Sequence, residues 1–285
     1  MHFGPEQDTP TLEIPYDGLR FLSACLSSVV YVIDTERVLK TYHDTDNNED
    51  IVERRAYARL GEHPNIARFL GSTSTGDIVL ERGRVLREVL RQPNGDVSIR
   101  RKVQWLKDYA HGLQHCHSKG IVHADVGCHN AILNPHGRVQ LIDFAGCSID
   151  GAEASYCYEW FSYRRSGPVS IASVQTDIFA LGCMIFEVVT GRPPFQDELE
   201  TSPTRTHIVE ERYMNDQFPD LQNLPAPLRE VTRACWHDTV HSMEDVARML
   251  EALDGQGCCA KLRAWINTQE SYGMLASMRD WENNN

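Results

Sequence analysis

From Leu19 to Tyr42 the chain is rich in Val, Ile, Leu and Tyr, with polar breaks at Ser27-Ser28 and Asp34-Thr35-Glu36. Apolar runs bounded by turn residues predict antiparallel strands. Asp46-Asn47-Asn48 then offers a cap, Glu49 to Leu60 reads as a helix, and Gly61 stops it. Further strands open at His63-Pro64-Asn65-Ile66 and end on Ile78-Val79-Leu80. Downstream the period becomes helical. Ser98 caps a helix whose Ile99, Val103, Leu106, Ala110 and Leu113 share a face, and Gly120 ends it. Asp177 to Thr190 is apolar almost throughout, which predicts a central buried helix terminated by Gly191 and Pro193-Pro194. Helical patterns resume over Leu228 to Trp236, Met243 to Leu253 and Ala260 to Trp281. A strand-rich first third followed by a helix-rich remainder predicts an α+β fold with two lobes.

The 285 residues suffice for two such lobes. A net charge of -12 argues against nucleic acid or an anionic membrane as a main partner. No apolar run reaches bilayer length. The first residues, Met1 to Asp8, are polar and acidic and do not read as a secretory signal. The nine cysteines are an odd, scattered set, as expected of reduced thiols in the cytoplasm, with the nucleus as the alternative. Cys258-Cys259 reads as a buried pair rather than a metal site. A monomer is expected.

The chemistry is concentrated in His123-Ala124-Asp125-Val126-Gly127-Cys128-His129-Asn130 and in Ile142-Asp143-Phe144-Ala145. Phosphoryl transfer from ATP needs a carboxylate to orient the attacking hydroxyl. It also needs an amide oxygen and a second carboxylate to hold Mg²⁺ on the phosphates. Asp125, Asn130 and Asp143 are spaced as such a set. The arrangement resembles the catalytic loop and DFG motif of eukaryotic protein kinases, over roughly Leu19 to Leu253.

That resemblance implies a bilobal fold with a β-rich N-lobe (14–80), a hinge (81–85) and a helical C-lobe (86–253). A loose tail (1–13) would precede it and a helical extension (254–285) would follow. Lys40 would sit beside the α- and β-phosphates of ATP, held by Glu53 on the following helix, with Glu49 as the runner-up. Asp125 would orient the substrate hydroxyl, and Asn130 and Asp143 would ligate Mg²⁺. Leu80-Glu81-Arg82-Gly83 resembles the hinge, where backbone groups of Glu81 and Gly83 meet the adenine edge. Val30, Val38 and Ile132 would close on the adenine faces. Asp177 would open the central helix and brace the catalytic loop.

Several letters depart from the family pattern. The glycine-rich loop reads Ser23-Ala24-Cys25-Leu26-Ser27-Ser28-Val29-Val30, so Ser23, Cys25 and Ser28 stand where glycines give backbone access to phosphate. Ala124 replaces the HRD arginine, which makes this a non-RD sequence similar to those of filamentous fungi. Its regulation should be independent of activation-loop phosphorylation, and Ser148, Ser155, Tyr156 and Tyr158 read as solvated loop residues. Ala145 replaces the DFG glycine and is expected to bias the orientation of Asp143. Gly127 stands where a lysine reaches the γ-phosphate, and His129 is the nearest basic substitute. Neither the Ala-Pro-Glu glutamate nor its arginine partner is found.

Three functions remain open at this level. An ATP-dependent protein kinase, Ser/Thr rather than Tyr, explains the retained set. A pseudokinase scaffold explains the lost glycines. A small-molecule kinase of the aminoglycoside or choline type shares the His-x-Asp-x4-Asn spacing, yet does not usually carry the motifs at His63 and Asp177.

Overall fold

In the computed structural model, residues 10–25, 28–43, 49–92, 97–155, 158–164 and 172–254 are described. The first strands are β1 (Arg20–Ala24), β2 (Ser28–Val32) and β3 (Arg37–Tyr42), followed by helix α1 (Glu49–Leu60). Strands β4 (Phe69–Ser72) and β5 (Ile78–Glu81) complete an antiparallel sheet ordered β1-β2-β3-β5-β4. In β3 Val38 and Lys40 point one way and Leu39 the other, the alternation that lets one strand serve both core and cleft. Helix α1 starts acidic and ends basic, as its dipole favours. It buries Glu53, Ala56, Tyr57 and Leu60, so a carboxylate rides on the apolar stripe.

The chain continues through β6 (Arg84–Val85), α2 (Leu86–Leu90), α3 (Ile99–Ser118) and β7 (Ile121–Val122). A 3₁₀ turn at Cys128–Asn130 leads into β8 (Ala131–Leu133), then β9 (Val139–Leu141) and β10 (Ser148–Ile149). Strands β6, β8 and β9 form a small sheet, and β10 pairs with β7. The remaining helices are α4 (Val174–Thr190), α5 (Gln196–Leu199), α6 (Arg205–Met214), α7 (Ala226–Trp236) and α8 (Met243–Glu251). Helix α3 packs on α8, and α4 on α7. The α+β, two-lobed architecture expected from the sequence is therefore present. The lobes are tied where Ala67 N donates to Leu141 O at 3.0 Å and Leu141 N to Asn65 O at 2.9 Å.

Some boundaries move. The buried helix begins at Val174 rather than Asp177, because Ser173 and Thr176 form a capping box there. Asp177 lies inside the first turn and is freed for other partners. Part of the expected loose tail is attached: Leu12 N donates to Ser72 O at 2.8 Å, and Ser72 N to Pro10 O at 3.0 Å. The edge of β4 would otherwise expose unpaired backbone groups. Helices α2, α5 and α6 are too short or too polar to have shown a period. The cap at 46–48, Cys258-Cys259 and the helix over Ala260–Trp281 lie outside the described residues. Where the sequence offers neither the expected glutamate nor its arginine, Arg164 bonds to Trp236 O and Asp216, both at 3.0 Å, and lies 3.8 Å from Asp238. The acid and base are thus exchanged between the two segments.

Candidate active site

The cleft between the lobes encloses about 470 Å³. Its roof comes from β1 to β3, its back from β5 and the segment 82–85, and its floor from the catalytic loop and the 3₁₀ turn. Every residue expected to bind nucleotide lines it: Ser23, Cys25, Ser28, Val30, Val38, Lys40, Leu80, Glu81, Gly83 and Ile132. Leu22, Ala24 and Ile142 add apolar surface that the motif comparison had passed over. A Cβ on Gly83 would come within 2.8 Å of Ile132 Cβ and Leu133 O, so the backbone there can lie close to β8 only as glycine.

On the inner wall Lys40 Nζ lies 2.6 Å from Glu53 Oε2 and 2.7 Å from Asp143 Oδ1. Glu53 is chosen over Glu49 because it sits on the buried face of α1. Arg54 pairs with Asp50 and leaves Glu53 to the lysine. Burial pulls the Lys40 ammonium down, but Asp143 and Glu53 outweigh it and hold the pKa above its ordinary value. Burial likewise opposes the ionised Asp143, and Lys40 overcomes it, so that carboxyl titrates below its usual range. Tyr42, unremarked in the sequence, also donates its hydroxyl to Glu53 Oε2, and Phe144 N donates to Glu53 Oε1 at 3.2 Å. A buried carboxylate with this many donors is fixed in orientation.

Asp143 itself has φ +66°, and Ala124 has φ +65°. Ala145 is not among the described residues with positive φ. The Ala145 methyl thus meets no left-handed backbone at its own residue, and the left-handed turn is carried by Asp143. Ala124 is held by its amide, which donates to Asp177 Oδ1 at 3.0 Å, while His123 N donates to Oδ2 at 2.8 Å. His117 Nε2 and the Tyr158 hydroxyl complete the shell at 2.8 and 3.0 Å. Burial works against the Asp177 charge, but His117 and the loop amides win and lower its pKa. Asp177 does brace the loop. Tyr158 and Ser148 are tied internally rather than solvated, since the Ser148 hydroxyl donates to Ala152 O at 2.6 Å.

On the floor Asp125 Oδ2 accepts from Asn130 Nδ2 at 2.7 Å and lies 3.1 Å from His129 Nε2. Its other oxygen, Oδ1, has no protein partner among the described residues. His129 Nδ1 lies 3.0 Å from Glu159 Oε2. Burial opposes the imidazolium, but Asp125 and Glu159 raise the His129 pKa to about 10, so it is a cation at neutral pH. The ring fills the space over Gly127: a Cβ there would meet its Cε1 and Nδ1 at 2.7 Å. The missing lysine and the histidine are therefore one feature, because a side chain at 127 would expel the ring.

A chain of charges missed in the sequence continues from this point. Arg87 of α2 forks onto Glu159 with two bonds of 2.6 Å and onto Glu187 of α4 with bonds of 2.6 and 2.8 Å. Burial opposes the Glu159 charge, but His129 and Arg87 overcome it and bring the carboxyl down to about 2.

The oxygens left over suit a hard divalent cation. Asn130 spends its amide N–H groups on Asp125, at Oδ2 and on the backbone carbonyl at 2.9 Å, which leaves its side-chain oxygen. Asp143 engages Lys40 through Oδ1 and is 31% exposed. The described residues contain no group of three or more His, Cys, Asp or Glu able to hold a metal. Two oxygens alone fit a cation that arrives with phosphate ligands and water.

Comparison with known proteins agrees with this architecture. Residues 31–249 match the family described as the protein kinase domain. A Corynebacterium efficiens protein described as a probable serine/threonine-protein kinase is 29% identical, over 78% of this chain and 38% of its own length. The serine/threonine/tyrosine-protein kinase HT1 of Arabidopsis thaliana is 22% identical, over 70% and 53%. The serine/threonine-protein kinase PrkC of Bacillus subtilis is 27% identical, over 63% and 30%. The chain thus spans about half or less of the length of these relatives. With most of its length matched and both lobes in place, the chain belongs to the protein kinase family.

Proposed function

We propose that the chain is an ATP-dependent protein kinase that transfers the γ-phosphoryl group to a protein hydroxyl, of Ser or Thr in preference to Tyr. The observation that carries this reading is the disposition of Asp125. One oxygen is anchored by Asn130 and faces His129, the other is buried with no protein partner among the described residues, and the residue lines the floor of the cleft that Lys40 and Asp143 also line. A scaffold has no need of that arrangement.

In the proposed reaction the Asp125 carboxylate accepts the substrate hydroxyl's hydrogen bond, aims its oxygen at the γ-phosphorus, and takes the proton late. Asn130 and His129 keep the carboxylate from turning. Lys40 has three N–H donors, of which two are used by Glu53 and Asp143, so one remains for the α- and β-phosphates. Asn130 and Asp143 would hold Mg²⁺, which when bound screens the phosphate charge. The imidazolium of His129 supplies positive charge near the transferred group in place of a lysine.

Nucleotide binding is expected to be weak and metal-dependent, because Ser23, Cys25 and Ser28 restrict backbone approach to the phosphates while the charged groups remain. Calorimetry with ATP, with and without Mg²⁺, tests this on the wild type and Asp143→Asn. The variant should lose on the order of tenfold in metal-supported affinity, the size of a charged contact. Equal binding without metal, or indifference to Asp143→Asn, would remove the metal-ligand role. Labelled ATP with generic protein substrates tests transfer itself.

The pairing of Gly127 with His129 gives a second expectation. Gly127→Ala and His129→Ala should each lower kcat by roughly tenfold, the worth of one charge-assisted hydrogen bond, with little change in KM for ATP. The double variant should lose no more than either alone. Additive losses would separate the two residues.

A further inference from the structure

A second cavity, of about 200 Å³, adjoins the nucleotide cleft, and Arg87 and Arg91 line both. Its remaining walls include Trp160, Pro193, Glu200 and Arg205. One short chain of contacts joins it to Asp125. His129 lies 3.1 Å from Asp125, Glu159 lies 3.0 Å from His129, and Arg87 lies 2.6 Å from Glu159. This spans on the order of 10 Å, or about three residues of extended peptide.

The three guanidinium groups around this cavity are not in the same state. Arg87 is fully engaged: Glu159 and Glu187 take both of its forks. Those two carboxylates are in turn neutralised, and Glu159 faces the His129 cation as well. Apart from Glu200, a basic residue on a substrate would meet no carboxylate on this wall without a cation partner. The exposed Glu200 is the one other acid lining the cavity, and its Oε1 accepts from Gln196 Nε2 at 3.0 Å. Arg91 and Arg205 have no carboxylate partner among the described residues. Arg205 is nonetheless held in place. Its guanidinium lies over the Trp160 ring, 5.2 Å from the centroid, and one of its N–H groups donates to Glu200 O at 2.6 Å. Stacking and a backbone anchor leave the other N–H donors oriented and available, which suits recognition of planar or tetrahedral oxyanions.

We propose that this cavity reads an anionic group on the protein substrate, a carboxylate or a phosphate, about three residues from the phosphoacceptor. The proposal rests on the kinase reading above. It names the substrate class of that site as acidic or already phosphorylated sequences, with Arg91 and Arg205 as specificity-determining residues.

The test uses fluorescent peptides with Ala in place of the acceptor, so that docking is measured without chemistry. Four versions carry Gln, Glu, phosphoserine or Lys at the positions three to either side. Fluorescence anisotropy on the intact chain should show the Glu or phosphoserine peptide binding about tenfold more tightly than the Gln peptide at low salt, with the advantage fading at high salt. A larger gain for phosphoserine identifies a phosphate as the group read, and a gain for Glu at least as large identifies a carboxylate. Arg91→Gln and Arg205→Gln should each cut the anionic advantage several-fold, and the double variant should abolish it. Equal binding of Gln and Glu peptides overturns the proposal. So does tightest binding by Lys, an advantage that survives in the double variant, or no measurable binding of any peptide up to about 1 mM. Serine versions assayed with ATP then separate the two readings. No transfer to any peptide, with the docking preference intact, would refute the kinase function and leave the docking site standing.

Discussion

Asp125→Asn is expected to lower phosphoryl transfer by about a hundredfold or more while leaving nucleotide affinity nearly unchanged. The replacement is almost isosteric, and its oxygen can still accept from Asn130, as Oδ2 does at 2.7 Å in the wild type. What disappears is the negative charge that, in the proposed reaction, orients the incoming hydroxyl and receives its proton. The phosphate-side groups lie on the opposite wall, where Lys40 is held by Glu53 and Asp143 at 2.6 and 2.7 Å, and neither bond involves Asp125. The loss should therefore appear in kcat rather than in KM for ATP, which is the signature of an interaction made in the transition state. Single-turnover transfer measured beside ATP titration separates the two. Unchanged transfer would remove Asp125 from the mechanism. A joint collapse of transfer and ATP affinity would make its role structural.

The contrast between Asp125 and its neighbours shows which parts of the site the sequence can express. Lys40, Asp125, Asn130, Asp143 and Asp177 lie at characteristic separations along the chain, because each sits at a fixed place on a strand end, a tight loop or a helix start. Glu53 was legible together with Glu49, one turn earlier on the same face of α1, and it is the burial of Glu53 beside Ala56, Tyr57 and Leu60 that decides between them. Gly127 and His129 were legible as letters but not as a pair. Their relation lies in the missing Cβ that makes room for an imidazole. The sequence points to Ala145 as the position that biases Asp143, yet the positive φ falls two residues earlier, at Asp143 itself. Arg87, Glu159 and Glu187 were invisible for a different reason. They are separated by 72 and 100 positions, on α2, the activation segment and α4. Neither propensity nor periodicity carries a tertiary charge pair. The same holds for Arg164, whose partners come from the segments after α6 and α7.

Arg87→Met should destabilise the fold by about 3–5 kcal/mol, the cost of leaving a buried charge without its partner. Glu187 has a side-chain exposure of 2%, and its carboxylate bonds in the structure to Arg87 Nε and Nη2. Removing the guanidinium strands it in the core of the C-lobe, whereas Glu159 retains His129. For a chain of this size the midpoint of thermal unfolding should fall by roughly 10 °C. Adding Glu187→Gln and Glu159→Gln should recover much of the loss, since an uncharged set of similar volume has no stranded ion. Acid titration gives an independent sign. The Glu159 carboxyl is held at about 2 against an ordinary 4.5, so its contribution is present above pH 4.5 and is lost as pH falls through about 2. The wild type should lose stability over that window. In Arg87→Met the share of this loss that Arg87 supplies at Glu159 is gone, so the same acidification should cost the variant less. Denaturant melts at pH 7 and pH 3 measure the difference. A variant as stable as the wild type at pH 7, or one that is equally acid-sensitive, would show that the Arg87 fork is solvated rather than structural.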